Sequence, residues 1–199
     1  MANTWIPTVE VESAHGVREV SLNTRHLMNS RIFLIGEIDS QMANDFVSQL
    51  IYLEQEHKGP VTIYINSTGG AVSAGLMIYD AIQCSSLDIN MICTGLAASM
   101  AAVIFASGRA GHRYILKHGK VMIHEPLIAN MGGGSATSIK NISDSILETK
   151  RVLNEILAKH CNKTVEEIDE ATGYDNYMNA DEAIEYGICD AVIDKLIVE

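Results

Sequence analysis

Short apolar segments with the character of β-strands alternate along this chain with segments whose apolar residues recur at helical spacing. Strands are predicted at residues 31–36, 61–65, 89–93, 114–116 and 121–123. Helices are predicted at residues 72–83 and 100–106, and after a capping Ser40, where one apolar face carries Met42, Phe46, Leu50 and Leu53. Strands that alternate with helices form a largely parallel sheet covered by helices, so an α/β fold is predicted.

The rest of the chain extends the same unit, and no long linker divides residues 1–199. Residues 1–20 show little periodicity and are expected to form an arm or loop. Residues 130–135 are rich in glycine and are expected to turn sharply. A long helix is predicted at residues 138–160, and a last short strand at residues 189–192. A single domain is therefore expected.

Two short helices near the end of the chain carry sequence signals at their termini. Thr164 and Glu167 have the spacing of a capping box, and Asn179 and Glu182 repeat it. Gly187 is placed to end the second helix, since glycine is the residue that most readily adopts the left-handed conformation of a helix C-terminus.

The charge of the chain excludes one class of partner. Its formal net charge is −11, with a pI near 5.0. A nucleic-acid-binding domain would show a basic stripe, so no nucleic-acid partner is expected. The length of 199 residues and the 47% hydrophobic content suffice for a sizeable core.

Cysteine usage and the apolar segments favour a cytoplasmic protein. Four cysteines are widely spread without a CxxC motif, which predicts reduced thiols within a core: Cys84, Cys93, Cys161 and Cys189. The first residues lack the charged and apolar regions of a signal peptide. The longest apolar stretch, residues 91–106, contains polar interruptions and falls short of the ~20 residues that a membrane span needs. No membrane partner is expected.

The run of small residues around Ser99 is the main candidate for chemistry. Ser99 lies among glycine and alanine residues between a predicted strand and a predicted helix, and His124 ends a later apolar strand. A serine is a weak nucleophile unless a neighbouring base takes its proton, so the pair matters if folding brings the two together. The alternative is that Ser99 simply caps the helix.

Gly69 and Gly70 end a strand and open a helix. A phosphate-binding loop is disfavoured because neither GxGxxG nor GxxxxGK[ST] is present. A tight turn is the simpler alternative. The interpretation we favour is that backbone N–H groups here stabilise an oxyanion, since glycine permits close approach.

The histidines and aspartates leave alternatives open. His118 and His124 are a possible metal pair, although regularly spaced acidic or sulfur ligands are absent from the sequence. A serine–histidine pair needs a third group to orient the imidazole. Candidates are Asp175, Asp169, Asp181 and Asp190, and spacing does not select among them. The other histidines are interpreted as surface or satisfied core residues: His15, His26, His57, His112 and His160.

Several motifs together resemble a known family. They are Ile6-Pro7, Ile32-Phe33-Leu34, Tyr64-Ile65-Asn66-Ser67, Gly95-x-Ala97-Ala98-Ser99-Met100, Met122-Ile123-His124-x-Pro126 and Asp181-Glu182-Ala183-Ile184-Glu185-Tyr186-Gly187. In this order they resemble the ClpP family, the proteolytic subunit of the ATP-dependent Clp protease. The resemblance implies a serine endopeptidase with Ser99 as nucleophile, His124 as general base and Asp175 as the orienting aspartate. It also implies an oxyanion hole formed by the N–H groups of Gly70 and Met100.

The resemblance further implies a fold and an assembly. The fold is a ClpP/crotonase-like spiral of β-α units, with an N-terminal arm or axial loop at about residues 1–20 and a protruding handle at about residues 126–160. Seven subunits form a ring, and two rings stack into a tetradecamer that encloses the active sites. A hexameric AAA+ ATPase unfoldase supplies unfolded protein substrates, so ATP is used by that partner and no cofactor or metal is expected in this chain.

The sequence departs from the family pattern at six positions. Thr68 and Ala101 lie beside the oxyanion donors, and Gly173 and Tyr174 stand where the family forms a contact between rings. Thr62 and Cys84 stand where the family has the groove that docks the unfoldase. These departures keep open a second hypothesis, a weakly active regulatory or structural paralogue that co-assembles with a more active ClpP subunit. A third is an acyl-CoA enzyme of the crotonase type, for which Glu125 would be the acid beside the site.

Overall fold

A computed structural model describes residues 7–13, 16–56, 59–127 and 134–197. The strands are β1 (Thr8–Ser13), β2 (Gly16–Ser21), β3 (Arg31–Ile38), β4 (Val61–Gly70), β5 (Ile89–Ala98), β6 (Arg113–Leu116), β7 (Lys120–Ile123), β8 (Asn176–Asn179) and β9 (Ala191–Ile193). The helices are α1 (Leu22–Met28), α2 (Ser40–Glu56), α3 (Val72–Cys84), α4 (Met100–Ala106), α5 (Ala136–Cys161), α6 (Val165–Thr172) and α7 (Ala180–Tyr186).

Among the described residues, the main sheet has seven strands, five of which follow the order β3-β4-β5-β6-β9 in parallel. Strand β5 forks, because its first half pairs with β6 and its second half, near Ala98, pairs with β7. Strand β8 closes this branch by pairing with β7 in antiparallel. The predicted α/β architecture is confirmed, since a largely parallel sheet is surrounded by helices.

Helix α4 lies at the centre of the core. All seven of its residues are buried, and it packs against β4, β5, α3 and α5. The predicted apolar face of α2 is confirmed, with Phe46, Leu50 and Leu53 buried and Met42 packed at the edge of the core. The fully buried position of α4 matters for the site, because α4 begins immediately after Ser99.

Two segments predicted as loops are strand extensions. Residues 66–70 continue β4, with Gly70 opposite Ile38, and residues 94–98 continue β5, with Leu96 opposite Lys120. Small and polar residues have low strand propensity, but pairing with neighbours on both sides satisfies their backbone groups. Both strands therefore run to the point where the chain enters the next helix.

Other boundaries also differ from the prediction. Strands β1 and β2 pair as a hairpin, where an irregular arm was expected, and Ser21 caps α1. The side chain of Asp39, rather than Ser40, caps α2, since Asp39 Oδ1 accepts a hydrogen bond from the N–H of Met42 at 2.8 Å. Strand β8 was not predicted, and β9 begins two residues later than expected.

Both predicted capping boxes are confirmed, and Gly187 ends α7 with φ of 95°. Helix α5 begins earlier than predicted, capped by Ser135. Most of the glycine-rich segment (residues 130–133) lies outside the described residues, as do Ile6, His15 and His57.

The cysteine prediction is confirmed for three of the four residues. Cys93, Cys161 and Cys189 are buried free thiols, and burial raises the pKa of Cys93 and Cys161 to about 11. Cys84 is exposed, against the prediction, because it is the last residue of α3. Their burial keeps the three core thiols protonated and unreactive.

A buried arginine ties the far end of the sheet to three helices. Arg113 Nη1 donates to the carbonyl oxygens of Ala106, His160 and Gly187 at 3.2, 3.1 and 2.9 Å. Its Nη2 lies 2.6 Å from Asp190 Oδ1, and the Arg113 side chain is only 7% exposed. Burial raises the pKa of Asp190, but hydrogen bonds from Arg113 outweigh this and hold the pKa below its usual value.

Acid is expected to destabilise the fold through His160. Burial lowers the pKa of His160 to about 4, and Lys159 and Arg113 reinforce the shift. An unfolded chain with a histidine pKa near 6.5 binds more protons than the folded one between pH 6.5 and 4. The free energy of unfolding should therefore fall by about 2–3 kcal/mol as the pH is lowered through this range.

Urea unfolding at several pH values, compared between the native chain and His160→Gln, measures this contribution. The Tyr79 hydroxyl lies 3.2 Å from His160 Nε2, and a glutamine amide can still form a hydrogen bond with that hydroxyl, but it does not titrate. The variant should show the shallower pH dependence. Parallel profiles for the two proteins would contradict the assignment.

Candidate active site

Ser99 occupies a strained backbone position between β5 and α4. Its φ of 54° and ψ of −124° lie outside the regions that a serine normally adopts. It stands at the N-cap position of α4, yet its side chain makes no capping hydrogen bond. Ser99 therefore holds the N-cap position considered from the sequence, but its hydroxyl does not cap the helix and lies against His124 instead.

His124 follows the last residue of β7 and faces Ser99. Its Nε2 lies 2.8 Å from Ser99 Oγ. A backbone hydrogen bond aligns the end of β5 with the end of β7, because the N–H of Ser99 donates to the carbonyl oxygen of Met122 at 2.8 Å. The pairing of β7 alongside the end of β5 thus joins two residues that are far apart in sequence.

Asp175 completes a hydrogen-bonded chain of three side chains. Its Oδ1 lies 3.0 Å from Nδ1 of His124. In the tautomer with a proton on Nδ1, the imidazole donates to Asp175 and leaves Nε2 free to accept from the Ser99 hydroxyl. Such an arrangement can move the serine proton onto the imidazole and stabilise the cation that results.

The two consecutive glycines of β4 allow this strand to pass close to the serine. A Cβ on Gly69 would lie 2.7 Å from Cβ of Ser99 and 2.9 Å from N of Met100. Gly69 also has φ of 85°, which favours glycine. Its N–H is held by Ser67, whose Oγ accepts that hydrogen bond at 3.0 Å. The segment is a paired strand end and not the tight turn considered from the sequence.

A cavity of about 210 Å³ opens beside the serine and histidine. Its lining includes Gly70 and Met100, together with Thr68, Val72, Val103, Pro126, Leu127, Leu153, Asn154 and Leu157. A wider groove of about 750 Å³ follows α5 and shares Val72, Pro126 and Leu127 with the cavity. The backbone of a bound peptide could thus reach Ser99 along a mostly apolar cleft.

Comparison with known families identifies the chain. A family model described as Clp protease matches residues 14–196. The chain belongs to the Clp protease family. The resemblance drawn from the sequence motifs is confirmed, and membership implies a peptidase of the ClpP type.

In this Clp protease family member, two of the three rival aspartates are ion-paired elsewhere, and the third lies at the start of a different helix. Asp169 binds Lys150 at 2.8 Å, Asp190 binds Arg113, and Asp181 lies in the first turn of α7. Among these four aspartates, Asp175 is the one with a carboxylate oxygen within hydrogen-bond distance of His124, which spacing in the sequence did not reveal.

Other histidines of the described residues lie outside the Ser99–His124–Asp175 group. His112 Nδ1 lies 2.9 Å from Asn90 Oδ1, and His118 is exposed in the turn between β6 and β7. His26 differs from the expectation of a satisfied residue, because its Nδ1 is buried without a hydrogen-bond partner. Its ring packs against Phe33, with centroids 4.8 Å apart.

The described residues of this Clp protease family member show neither a metal cluster nor a membrane helix. Within this part of the chain, no three His, Cys, Asp or Glu side chains are grouped so that they could hold a metal ion. None of the helices described is both long and apolar enough to cross a membrane.

Two polar residues of α5 near the site were missed from the sequence: Asn154, which lines the cavity, and Lys150, which binds Glu125 next to His124. Lys150 and Asn154 lie one helical turn apart on α5 and both contact Asp169. Within a long amphipathic helix, a lysine and an asparagine four residues apart look like an ordinary solvated face. Only the packing of α5 against α6 distinguishes them.

Proposed function

We propose that this chain is a serine endopeptidase in which Ser99 is the nucleophile, His124 the general base and Asp175 the residue that orients the imidazole. The single observation that carries the proposal is the hydrogen-bonded chain from Ser99 Oγ to His124 and Asp175, with distances of 2.8 and 3.0 Å. These distances meet the requirement that nucleophile and base lie within hydrogen-bond reach.

Acylation begins when Ser99 Oγ attacks the carbonyl carbon of a peptide bond and its proton moves to Nε2 of His124. The carbonyl π bond opens and leaves a negative charge on the substrate oxygen. We assign its stabilisation to the N–H groups of Gly70 and Met100, which both belong to residues lining the cavity. The C–N bond then breaks, and the imidazolium protonates the departing amine.

Deacylation repeats these steps with water as the nucleophile. Water attacks the ester carbon and gives a proton to His124, and the returning proton restores the Ser99 hydroxyl as the acid product leaves. No cofactor is needed in this cycle, so ATP would be consumed by a partner and not by this chain. Asp175 holds the ring in the tautomer that both steps require.

We further propose assembly into heptameric rings that stack as a tetradecamer. Helix α5 leaves large apolar residues exposed, among them Ile139, Ile142 and Leu147. An amphipathic helix with an uncovered apolar stripe needs a partner surface. Stacked rings would cover it and enclose the sites, which prevents indiscriminate proteolysis.

A hexameric AAA+ unfoldase is the proposed source of unfolded substrates. The exposed ring of Phe33 stacks on Tyr64, with centroids 5.0 Å apart, and Ile35 is exposed on the same strand. Exposed aromatic side chains are the kind of anchor that dominates binding energy at an interface. We propose that the unfoldase binds to this face. We also propose that the assembly is located in the cytoplasm.

A fluorophosphonate probe tests the proposed nucleophile. We expect covalent labelling of Ser99, located by peptide mass spectrometry, because the probe phosphonylates a serine whose proton a base accepts. His124→Ala should slow labelling by about 10²-fold or more. His118→Ala, which changes an exposed histidine, should label at the native rate. Absence of labelling in the assembled native protein would contradict the proposal.

The same probe distinguishes the regulatory-paralogue alternative. The exposed Gly173 and Tyr174, at the end of α6, are departures from the family pattern in a segment that leads directly to Asp175. A regulatory subunit would remain unlabelled alone and become labelled only after mixing with a ClpP paralogue. The acyl-CoA alternative is disfavoured because the carboxylate of Glu125 is bound by Lys150 at 3.0 Å.

A further inference from the structure

Lys150 bridges two carboxylates from different parts of the chain. Its Nζ lies 2.8 Å from Oδ1 of Asp169 on α6 and 3.0 Å from Oε2 of Glu125, which follows β7. Hydrogen bonds to Asp169 and then to Glu125 raise the pKa of Lys150. The ammonium therefore stays charged over the working pH range and holds three segments of chain together.

A second layer of hydrogen bonds surrounds this bridge. Asn154, only 4% exposed, donates from Nδ2 to Oδ1 of Asp169 at 3.0 Å. Thr172, at the end of α6, accepts a hydrogen bond at its carbonyl oxygen from the N–H of Glu125 at 2.8 Å. Helix α5, helix α6 and the chain after β7 are thus joined by polar contacts at one junction.

The junction lies next to two members of the proposed triad. Glu125 is bonded directly to His124 in sequence, and Thr172 precedes Asp175 by three residues. The Asp175 side chain is 63% exposed, so packing does little to hold it. Its distance from the imidazole therefore depends on how α6 is seated against the chain that carries His124.

We propose that Lys150 is a positioning residue, which through Glu125 and Asp169 sets the distance between His124 and Asp175. The inference rests on the proposed peptidase function. Lys150 does not touch the reacting atoms in this scheme. It acts by fixing the two chain segments that carry the base and its orienting carboxylate against the same turn of α5.

Displacement of a catalytic group by about 1 Å can cost about a hundredfold in rate. Loss of the bridge permits a smaller displacement, because the Glu125–Thr172 backbone hydrogen bond remains. We therefore expect kcat of Lys150→Met for a fluorogenic peptide to fall about tenfold. KM should stay within about twofold of native, since the cavity lining is unchanged. Lys150→Arg should recover most of kcat, because it restores the charge.

Arg151→Met is the matched control. Arg151 is the next residue on α5 and also pairs with two carboxylates, Glu148 and Glu155, but on the exposed face of the helix. Its kcat should equal that of the native protein. Native mass spectrometry of each variant separates an effect on the site from an effect on assembly.

Asp169→Asn, which removes the other partner of the ion pair, keeps the inference testable if Lys150→Met folds poorly, and the two substitutions together complete a double-mutant cycle. Asp169→Asn should lower kcat by a similar factor, and the double variant should lose little more than either single one. Equal kcat for Lys150→Met and Arg151→Met, or a change confined to KM, would overturn the inference. Native labelling of Ser99 by fluorophosphonate reports separately on the proposed function, so the two failures are distinguishable.

Discussion

Ser99→Ala is expected to lower kcat for peptide hydrolysis by about 10⁴–10⁶-fold, the range found when a serine peptidase loses its nucleophile. The variant retains the cavity and the backbone donors, but nothing remains to form the acyl-enzyme. Alanine meets the same constraint as serine at φ of 54°, and the serine side chain makes no capping hydrogen bond that would be lost. Folding and assembly should therefore be unaffected.

The measurement is turnover of a fluorogenic peptide, with native mass spectrometry as the check on assembly. Ser73→Ala, an exposed serine on α3, is the matched control and should retain native kcat. Residual turnover of Ser99→Ala within tenfold of native, in a preparation free of other peptidases, would remove Ser99 from the mechanism.

Arg113→Met is expected to lower the free energy of unfolding by about 3–5 kcal/mol, the cost of breaking a buried ion pair by removing one partner. The substitution leaves Asp190 without its cation and leaves three carbonyl oxygens, those of Ala106, His160 and Gly187, without their donor. A domain of this kind has only about 5–15 kcal/mol in total, so the variant should lose between about a fifth and all of its stability.

Arg109→Met is the control for this substitution. Arg109 is 75% exposed and lies 3.7 Å from Asp88, a contact that contributes about 0–1 kcal/mol. Urea unfolding at neutral pH should give near-native stability for Arg109→Met and a much lower midpoint for Arg113→Met. Equal midpoints would mean that the buried arginine does not hold the sheet to the helices.

Local patterns were sufficient for the elements whose residues carry the signal themselves. The capping boxes at Thr164 and Asn179 are contained within four residues each, and the apolar face of α2 repeats at helical spacing. Such signals survive folding because the interactions that they specify are made within one element.

Pairing between strands explains most of the differences between the predicted and the observed secondary structure. Residues 66–70 and 94–98 are mostly glycine, alanine and other small or polar residues and were predicted as loops, but neighbouring strands satisfy their backbone groups. The residue that caps α2 is Asp39, one position before the predicted Ser40. Propensity is a weak guide where partners distant in sequence supply the hydrogen bonds.

The sequence by itself determined the α/β architecture and the family, because strand and helix periodicities are local and the motifs around Ser99 and His124 are contiguous. Residue spacing did not select an aspartate, and the family resemblance implied Asp175. Only the tertiary structure shows its carboxylate within hydrogen-bond distance of His124. Asp175 and its rivals Asp169, Asp181 and Asp190 are chemically identical, and their roles differ solely through the groups that folding places beside them. The same is true of Lys150, since an ion-pair bridge between distant segments exists only after those segments have packed together.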